Sequence, residues 1–158
     1  SHLDFLNFHK NYGFKKFNST KKVDSISGGA FLVLKKVYNK LNGFNENLFW
    51  MEDIDFCIRA KKMGFEILYS PLTKIIHLSG KSAEKNIRVV ILNQLISKIK
   101  FFKYHHPKIE YFIILISILI ISLIKSLIIL LISPFSKLYR KKLIAYLYTV
   151  RSILFNNW

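Results

Sequence analysis

Three carboxylates lie close together in the chain, at Glu52, Asp53 and Asp55. They stand where an aromatic, apolar run ends and a helical pattern begins, and Gly64 suits the residue that ends this helix. Carboxylates in the first turn of a helix face the positive end of the helix dipole, which favours their ionised form. An ionised carboxylate in that setting can act as a general base. Acidic residues also cap many helices without any chemistry, so the pattern alone allows both interpretations.

Composition limits the function classes. The chain has 158 residues, enough for one ordinary domain, and a formal net charge of +16. A basic excess suits nucleic acid or an anionic membrane surface. Because the lysines flank an apolar segment rather than forming one basic face, we expect no nucleic-acid binding. The single cysteine, Cys57, excludes an internal disulfide, and its place on the apolar side of the predicted helix favours core packing.

The elements predicted around the carboxylates combine strands and helices. Residues 30–34 form an apolar run that fits a buried strand, and residues 35–41 fit a short helix. Two further strands are predicted at 65–69 and 74–78, whereas residues 1–22 are aromatic, basic and aperiodic, which is typical of a loop-rich segment. This order predicts an α/β fold. Three short strands are too few for a complete doubly wound sheet, so we expect its missing part on the N-terminal side.

The C-terminal half predicts helices of different character. A long amphipathic helix is expected to begin after Ser82 and to end before Pro107. Residues 111–132 are mostly Ile, Leu and Ser around Lys125, and about 20 apolar residues suffice to span a bilayer. Residues 137–158 are basic and amphipathic, which suits a membrane interface. Since basic residues flank the apolar run on both sides, the positive-inside tendency chooses no orientation; on length we favour a true span over an in-plane arrangement.

Several motifs follow one another at characteristic spacing. They are VDSISGGAFL at 23–32, NGFNE at 42–46, FWMEDIDFCIR at 49–59, GFEILY at 64–69 and IHLSGKS at 76–82. Together these motifs resemble family-2 glycosyltransferases, most of all the rhamnosyltransferase-like branch that builds bacterial surface polysaccharides. The resemblance covers roughly residues 20–82 and rests on the order of the motifs, since no single motif is specific.

The resemblance implies a GT-A (Rossmann-like) fold and inverting transfer of a sugar from a nucleotide-sugar donor to a glycan or lipid-linked acceptor. It implies that Asp53 is the general base that acts on the acceptor hydroxyl. Glu52 would orient substrate hydroxyls, and Trp50 would offer a ring face to a sugar. Gly28 and Gly29 would border the donor sugar.

Further site residues follow from the same resemblance. Asp55 and Arg59 are expected among the substrate-binding residues of the acidic motif. His77 is expected to bind the divalent metal, Mg²⁺ or Mn²⁺, that neutralises the donor diphosphate. The chain departs from the family pattern in two respects: Asn45 stands where the family usually has Asp, and the nucleotide-binding half with its Asp-x-Asp metal motif is absent.

We therefore expect residues 1–107 to be the acceptor-side, C-terminal half of a GT-A domain, and residues 108–158 to be a transmembrane helix with a basic amphipathic tail. This stretch alone is expected to be inactive. The enzyme would act at the cytoplasmic face of the cell membrane, where nucleotide sugars are made, with membrane lipid as a further partner. The alternative is a small basic membrane protein that binds anionic lipid or a partner without catalysis.

Overall fold

The computed structural model describes residues 18–72, 74–75 and 86–157. Strands β1 and β2 comprise Lys21–Val23 and Ile67–Tyr69. The α-helices are α1 (Lys35–Lys40), α2 (Glu52–Lys62), α3 (Ile87–His105), α4 (Lys108–Ile132) and α5 (Lys137–Leu154), and 3₁₀ turns occur at Gly28–Ala30 and Ser133–Phe135. The chain divides into two compact units. The first contains Ser1–Phe44 and Asp53–His77, and the second contains Asn45–Glu52 and Leu78–Trp158.

The small sheet of the first unit consists of β1 and β2, which pair antiparallel with Val23 opposite Ile67. The strand predicted at 65–69 is confirmed by β2. Strand β1 was not predicted, because it lies at the end of the segment interpreted as loop. It is short and basic, and Lys22 forms an ion pair with Glu66, which is far away in the sequence. Only this tertiary pairing makes the segment a strand.

The apolar run 30–34 forms no strand, contrary to the sequence prediction. From Phe31 to Leu34 the backbone is extended at both ends of the segment. Phe31 and Val33 pack on the core, whereas Leu32 and Leu34 are 95% and 65% exposed. This is the alternation of a strand with one covered face. The local conformation was predicted correctly, but no neighbouring strand among the described residues pairs with it. In the strand predicted at 74–78, residues 74–75 are not in a strand and the remainder lies outside the described residues.

The core of the first unit combines apolar residues of α1 and α2. Val37 and Leu41 are buried, and they cluster with Phe56 and Ala60 of α2. Three aromatic rings close this core, because Phe31 and Phe44 both lie edge-on or tilted against Phe56 at ring-centre distances of 5.5 and 5.1 Å. Burial of these side chains from water is what holds the two helices together.

Both helices of the first unit are followed by residues in the left-handed conformation, and Gly64 is the residue predicted to end α2. After α1 the chain turns through Asn42 and Gly43, with φ values of +55° and +72°. After α2 it turns at Gly64, with φ of +83°, and the Gly64 N–H donates to the Lys61 carbonyl at 3.0 Å. Left-handed residues at these places satisfy the last carbonyls of a helix, and glycine adopts that conformation without a steric cost.

In the second unit α3, α4 and α5 pack against one another. The start predicted near Ser82 lies outside the described residues; the described helix α3 begins at Ile87 and ends before Pro107 as predicted. Helices α4 and α5 run antiparallel, because only the turn Ser133–Phe135 and Ser136 separate them and Lys125 Nζ lies 3.3 Å from the hydroxyl of Tyr146. Small buried residues line the helix packing: Ser97, Ser122, Ser126, Ala145 and Thr149.

Helix α4 contains the predicted apolar segment. Within the described ranges, Lys108–Phe135 is the one segment long and apolar enough to cross a membrane, judged by length and composition. Only 22% of its most apolar window is buried in the structure, whereas the core helix of a soluble protein is mostly buried. The described fold is thus mainly helical with a two-stranded sheet.

Candidate functional site

Asp53 lies in the first turn of α2, and two backbone N–H groups hold its carboxylate. The Gly28 N–H donates to Oδ2 and the Ile54 N–H donates to Oδ1, both at 2.7 Å. Gly28 precedes Asp53 by 25 residues and opens the 3₁₀ turn Gly28–Ala30. The structure therefore brings together two residues that the sequence analysis had assigned to one site. The side chain of Asp53 is half-buried, so it is oriented by the fold and still reaches solvent.

The two glycines of this turn are both exposed. A Cβ atom at Gly28 would lie 3.6 Å from Asp53 Oδ2, which is an ordinary contact. It is therefore the N–H of Gly28, rather than its missing side chain, that serves the carboxylate. The Gly29 N–H points to Oγ of Ser27, the residue that caps the turn, at 3.5 Å. The backbone next to Asp53 is thus exposed at Gly28 and carries no side chain there.

Aromatic side chains are displayed on the loop that precedes α2. The N–H groups of Phe49 and Trp50 both donate to Oγ of Ser97 on α3, at 3.0 and 3.2 Å, and Leu48 is buried. The Trp50 side chain remains 48% exposed. A half-exposed indole on a fixed backbone is suited to stack on an apolar sugar face. Ser97 is a positioning residue that sequence reasoning missed, because nothing in the helical pattern distinguishes it from other polar residues of α3.

The chain enters α2 through an unusual backbone conformation. Met51 has φ of +72°, which costs a residue with a side chain about 1–2 kcal/mol. Glu52, half-buried, follows as the first residue of α2 and precedes Asp53. Such conformations persist where the surrounding structure imposes them, and they are common near functional sites.

Asp55 and Arg59 form an ion pair, and the carboxylate of Asp55 is buried rather than exposed to solvent. Asp55 is 2% exposed, and Arg59 Nε donates to its Oδ2 at 2.8 Å. The other two guanidinium nitrogens donate to the carbonyls of Leu41 and Gly43, at 2.6 and 2.8 Å. The pair therefore ties α2 to the end of α1. These contacts are those of a fold-stabilising pair, and the substrate-binding role expected for both residues stays a prediction.

Cys57 lies within α2 and is completely buried, which confirms its predicted packing role. Burial raises the pKa of its thiol, and the nearby charge of Asp53 acts in the same direction. A hydrogen bond with the Ile26 backbone and the charge of Lys61 act in the opposite direction. A buried cysteine with a raised pKa is unreactive at neutral pH, so it is no candidate nucleophile.

The metal ligand expected from the sequence, His77, lies outside the described residues. Among the residues the structure does describe, no three His, Cys, Asp or Glu side chains are grouped closely enough to hold a metal ion. Asp55 in particular is engaged by Arg59. The described residues therefore do not form a metal site by themselves.

A depression of about 290 Å³ lies elsewhere in the first unit, between β1, β2 and the end of α2. Two ion pairs, Lys22–Glu66 and Lys61–Asp24, link its charged walls. Its lining includes neither Gly28 nor Asp53. It is a solvated cleft of paired charges and not part of the candidate site.

Residues 9–81 match a family model described as the N-terminal domain of galactosyltransferase. The chain is also 30% identical over 69 residues to N-acetylglucosaminyl-diphospho-decaprenol L-rhamnosyltransferase from two strains of Mycobacterium tuberculosis. That match covers 43% of this chain and 22% of the relatives, so the chain spans about a fifth of the curated proteins it matches. No solved structure matches the chain.

The family match covers the segment that contains Gly28, Trp50 and Asp53. These residues carry the motifs for which the sequence resembles glycosyltransferases, and both comparisons name proteins of that kind. In residues 9–81 the chain is therefore similar to domains of glycosyltransferases.

Proposed function

We propose that this chain is part of an inverting, GT-A-type glycosyltransferase of family 2. In this proposal it transfers a sugar from a nucleotide-sugar donor to a lipid-linked or glycan acceptor during synthesis of a cell-surface polysaccharide. The relatives' name, which refers to a diphospho-decaprenol-linked sugar acceptor and a rhamnosyl group, supports an acceptor of this lipid-linked class. The donor sugar is left open by the proposal.

One observation carries the proposal, namely the hydrogen bond between the Gly28 N–H and Asp53 Oδ2. It joins the glycine motif and the acidic motif, which are the two parts of the family pattern that the resemblance assigns to donor and acceptor. A carboxylate that is fixed by backbone donors and open to solvent on one side has the geometry of a general base. An acidic residue that only capped α2 would need no contact with a distant turn.

The proposed chemistry is a single displacement. A carboxylate oxygen of Asp53 takes the proton of the acceptor hydroxyl while the hydroxyl oxygen forms a bond to the anomeric carbon of the donor sugar. The bond between that carbon and the diphosphate oxygen breaks, and the nucleoside diphosphate leaves with the electron pair. Attack from the face opposite the leaving group inverts the anomeric centre. Trp50 stacks on a sugar ring, and Glu52 accepts hydrogen bonds from sugar hydroxyls.

A divalent metal, Mg²⁺ or Mn²⁺, is proposed to neutralise the leaving diphosphate, with His77 as one ligand. The described residues form no metal site, so the proton transfer and the binding of the sugars are proposed for Asp53, Trp50 and Glu52 alone. The test is a metal titration of the transfer rate for His77→Ala in the full-length protein. A titration curve identical to that of the parent would exclude the ligand role.

The experiment that tests the function compares Asp53→Asn with Asp24→Asn. Both replace an acidic side chain in the same unit, but Asp24 is exposed and forms an ion pair with Lys61 at the surface. The full-length protein is assayed in membranes with a panel of nucleotide sugars and a polyprenyl-diphosphate-linked acceptor. We expect Asp53→Asn to lower kcat by about 10²–10⁴ and Asp24→Asn to leave it nearly unchanged. Near-normal turnover of Asp53→Asn would refute the assignment.

The second candidate is a basic membrane protein without catalysis, and the exposed apolar surface of α4 is the observation that favours it. Under that hypothesis the parent protein binds anionic vesicles and transfers none of the sugars in the panel. The same assay therefore separates the two candidates.

A further inference from the structure

The packing of α5 against α4 bears on how this part of the chain meets a membrane. Lys125 Nζ lies 3.3 Å from the Tyr146 hydroxyl and 5.2 Å from the centre of its ring. This contact fixes the register of the antiparallel pair. Because the helices are antiparallel, five residues forward on α5 correspond to five residues back on α4, so Arg151 is level with Ile120, in the middle of α4.

The turn between the helices is fastened by Arg140. Its Nε donates to the Ser133 carbonyl at 3.0 Å and its Nη2 donates to the Pro134 carbonyl at 2.7 Å. These bonds supply donors to carbonyl groups just beyond the end of α4, where no continuing helix supplies its N–H groups. The hairpin is thus a packed unit, so α4 cannot enter a bilayer without carrying α5 alongside it.

Helix α5 is unsuited to the inside of a bilayer. Four basic residues lie in its first two turns, at Lys137, Arg140, Lys141 and Lys142. Arg151 is exposed, and a spanning α4 would hold it at the bilayer centre. Charged side chains at that depth are costly. Lys125 would lie about 8 Å from the centre, at 1.5 Å per residue, and it is exposed as well.

The exposed sides of α4 and α5 are suited to the surface of a membrane rather than to its interior. The exposed apolar side chains of α4 form a continuous face that includes Ile113, Ile116, Ile120, Leu127 and Leu131, each between 50% and 78% exposed. On α5 the exposed side interleaves basic residues with Ile144, Leu147 and Tyr148. Apolar residues next to basic and aromatic ones are typical of helices at the boundary between acyl chains and anionic headgroups. The net charge of +16 has the matching sign.

We propose that α4 and α5 form a hairpin that lies in the plane of an anionic phospholipid membrane and that neither helix crosses it. The exposed face of α4 dips into the acyl chains, while the basic residues of α5 and Lys125 contact the phosphate groups. This replaces the true span that the length of the apolar segment had favoured. The inference rests on the membrane association included in the proposed function, and it adds the side of the membrane on which the hairpin turn lies.

The test measures from which side the turn can be labelled. Cys57 and any cysteine that the full-length protein contains outside this chain are replaced by serine, and one cysteine is then introduced at a time in the full-length protein. Ser136→Cys and Lys141→Cys report on the turn, Asn157→Cys reports on the end of α5, and Lys98→Cys on α3 is the reference for the side of entry. Sealed inverted inner-membrane vesicles are treated with a membrane-impermeant maleimide, before and after detergent, and labelling after detergent gives the total for each variant.

The in-plane hairpin predicts that the turn, the end of α5 and the reference are labelled before detergent to the same fraction, within about twofold. Turn positions labelled at least tenfold less than the reference until detergent is added would show that the hairpin crosses the bilayer, and would overturn the proposal. If Asn157→Cys is protected together with the turn, α4 alone crosses the bilayer as a single span; if Asn157→Cys alone is protected, α5 crosses. Either result would overturn the proposal as well. Recovery of the protein as a soluble oligomer would mean that another copy covers α4, and it would overturn the membrane association too. Transfer activity is measured in parallel, so failure of the in-plane hairpin can be distinguished from failure of the proposed transferase function.

Discussion

Asp53 is the residue for which the motif implies a role as general base, and its carboxylate is held by the main chain of a turn that is distant in the sequence. The Gly28 nitrogen lies 2.7 Å from Oδ2. Because every residue except proline provides a backbone N–H, this contact depends on the position of the backbone and not on the residue type. The glycine itself leaves the surface beside the carboxylate open. At Gly28 the backbone N–H positions the carboxylate of Asp53, whereas the missing side chain affects only the space beside that carboxylate.

Gly28→Ala and Gly28→Pro separate these two purposes. The added Cβ of Gly28→Ala meets Asp53 only at ordinary contact distance, so we expect kcat within about threefold of the parent enzyme. Gly28→Pro removes a hydrogen bond to a charged group, and such bonds contribute about 1.5–3 kcal/mol. We expect it to lower kcat by at least about tenfold with a smaller change in KM. Equal activities of the two variants would contradict the positioning role of the N–H.

Cys57 gives a prediction about pH. Because its folded pKa is raised above the unfolded value, its neutral state stabilises the fold fully below the unfolded pKa near 9.0. This stabilisation is lost as the pH rises through the folded pKa. We therefore expect the parent's free energy of unfolding to fall more steeply above pH 9 than that of Cys57→Ala, as measured by urea denaturation at several pH values in mild detergent. Parallel curves for the two proteins would be inconsistent with the raised pKa.

At the scale of elements, the position of α2 depends on the backbone before its first residue and on side-chain contacts with the end of α1. At its start the chain passes through the left-handed Met51, and one turn later Asp55 and Arg59 join α2 to the end of α1. A guanidinium group can serve a carboxylate and two carbonyls at once, which an ammonium group cannot do in the same geometry. The acidic motif therefore contains residues that build the fold as well as a candidate base.

Arg59→Ala should destabilise the protein strongly. It leaves the carboxylate of Asp55, which is 2% exposed, without its ion-pair partner, and breaking such a buried pair typically costs about 3 kcal/mol or more. Arg59→Lys should cost less, because it keeps the charge. Urea denaturation followed by circular dichroism gives both free energies of unfolding. The interpretation fails if Arg59→Ala lies within about 0.5 kcal/mol of the parent, the range of ordinary surface substitutions.

The loop with Trp50 depends on Ser97 of α3 in a comparable way. Ser97→Ala removes the acceptor of two N–H groups, and each unsatisfied group costs about 1–3 kcal/mol unless water replaces the acceptor. In a background in which Trp158 and any tryptophan outside this chain are replaced by phenylalanine, we expect the emission of Trp50 to move to longer wavelength and its quenching by iodide to increase. Ser117→Ala is the matched control, because the Ser117 hydroxyl bonds only to its own helix at the Ile113 carbonyl. Identical quenching in both variants would exclude the anchoring role.

On the scale of the whole molecule, charge and apolar surface coincide in the C-terminal half. Lys125 and the basic residues of α5 lie on the same hairpin as the exposed face of α4. A membrane surface that carries phosphate groups above acyl chains satisfies both kinds of side chain at once. This arrangement would keep the chain close to a lipid-linked acceptor.

A vesicle-binding experiment tests this coincidence. We expect the protein to bind vesicles that contain phosphatidylglycerol at least about tenfold more tightly than pure phosphatidylcholine vesicles, because each basic residue near an anionic surface contributes about 1 kcal/mol. Lys137→Glu combined with Lys141→Glu should reduce the difference, whereas Lys35→Glu combined with Lys36→Glu on α1 should reduce it less. All four lysines are exposed, so the pairs are matched for burial. Equal binding to both kinds of vesicle would contradict a role for the charge.

The sequence alone determined those features that depend on neighbouring residues. Helices α1, α2, α4 and α5 and their ends follow from apolar spacing and from Gly43 and Gly64, because helical hydrogen bonds are local. The glycosyltransferase resemblance likewise rests on ordered local motifs. Burial of Cys57 was predictable from its place on the apolar side of a helix.

The tertiary structure alone decided what depends on distant partners. It paired β1 with β2, left residues 30–34 without a neighbouring strand among those described, and joined Gly28 to Asp53. It also laid α5 along α4 in a register that puts Arg151 level with the middle of an apolar helix. A strand, a held carboxylate and a helix pair each require a second segment at hydrogen-bond or packing distance. The spacing of residues along the chain does not determine the distance between two such segments. That distance is set when the folded chain packs their buried faces together.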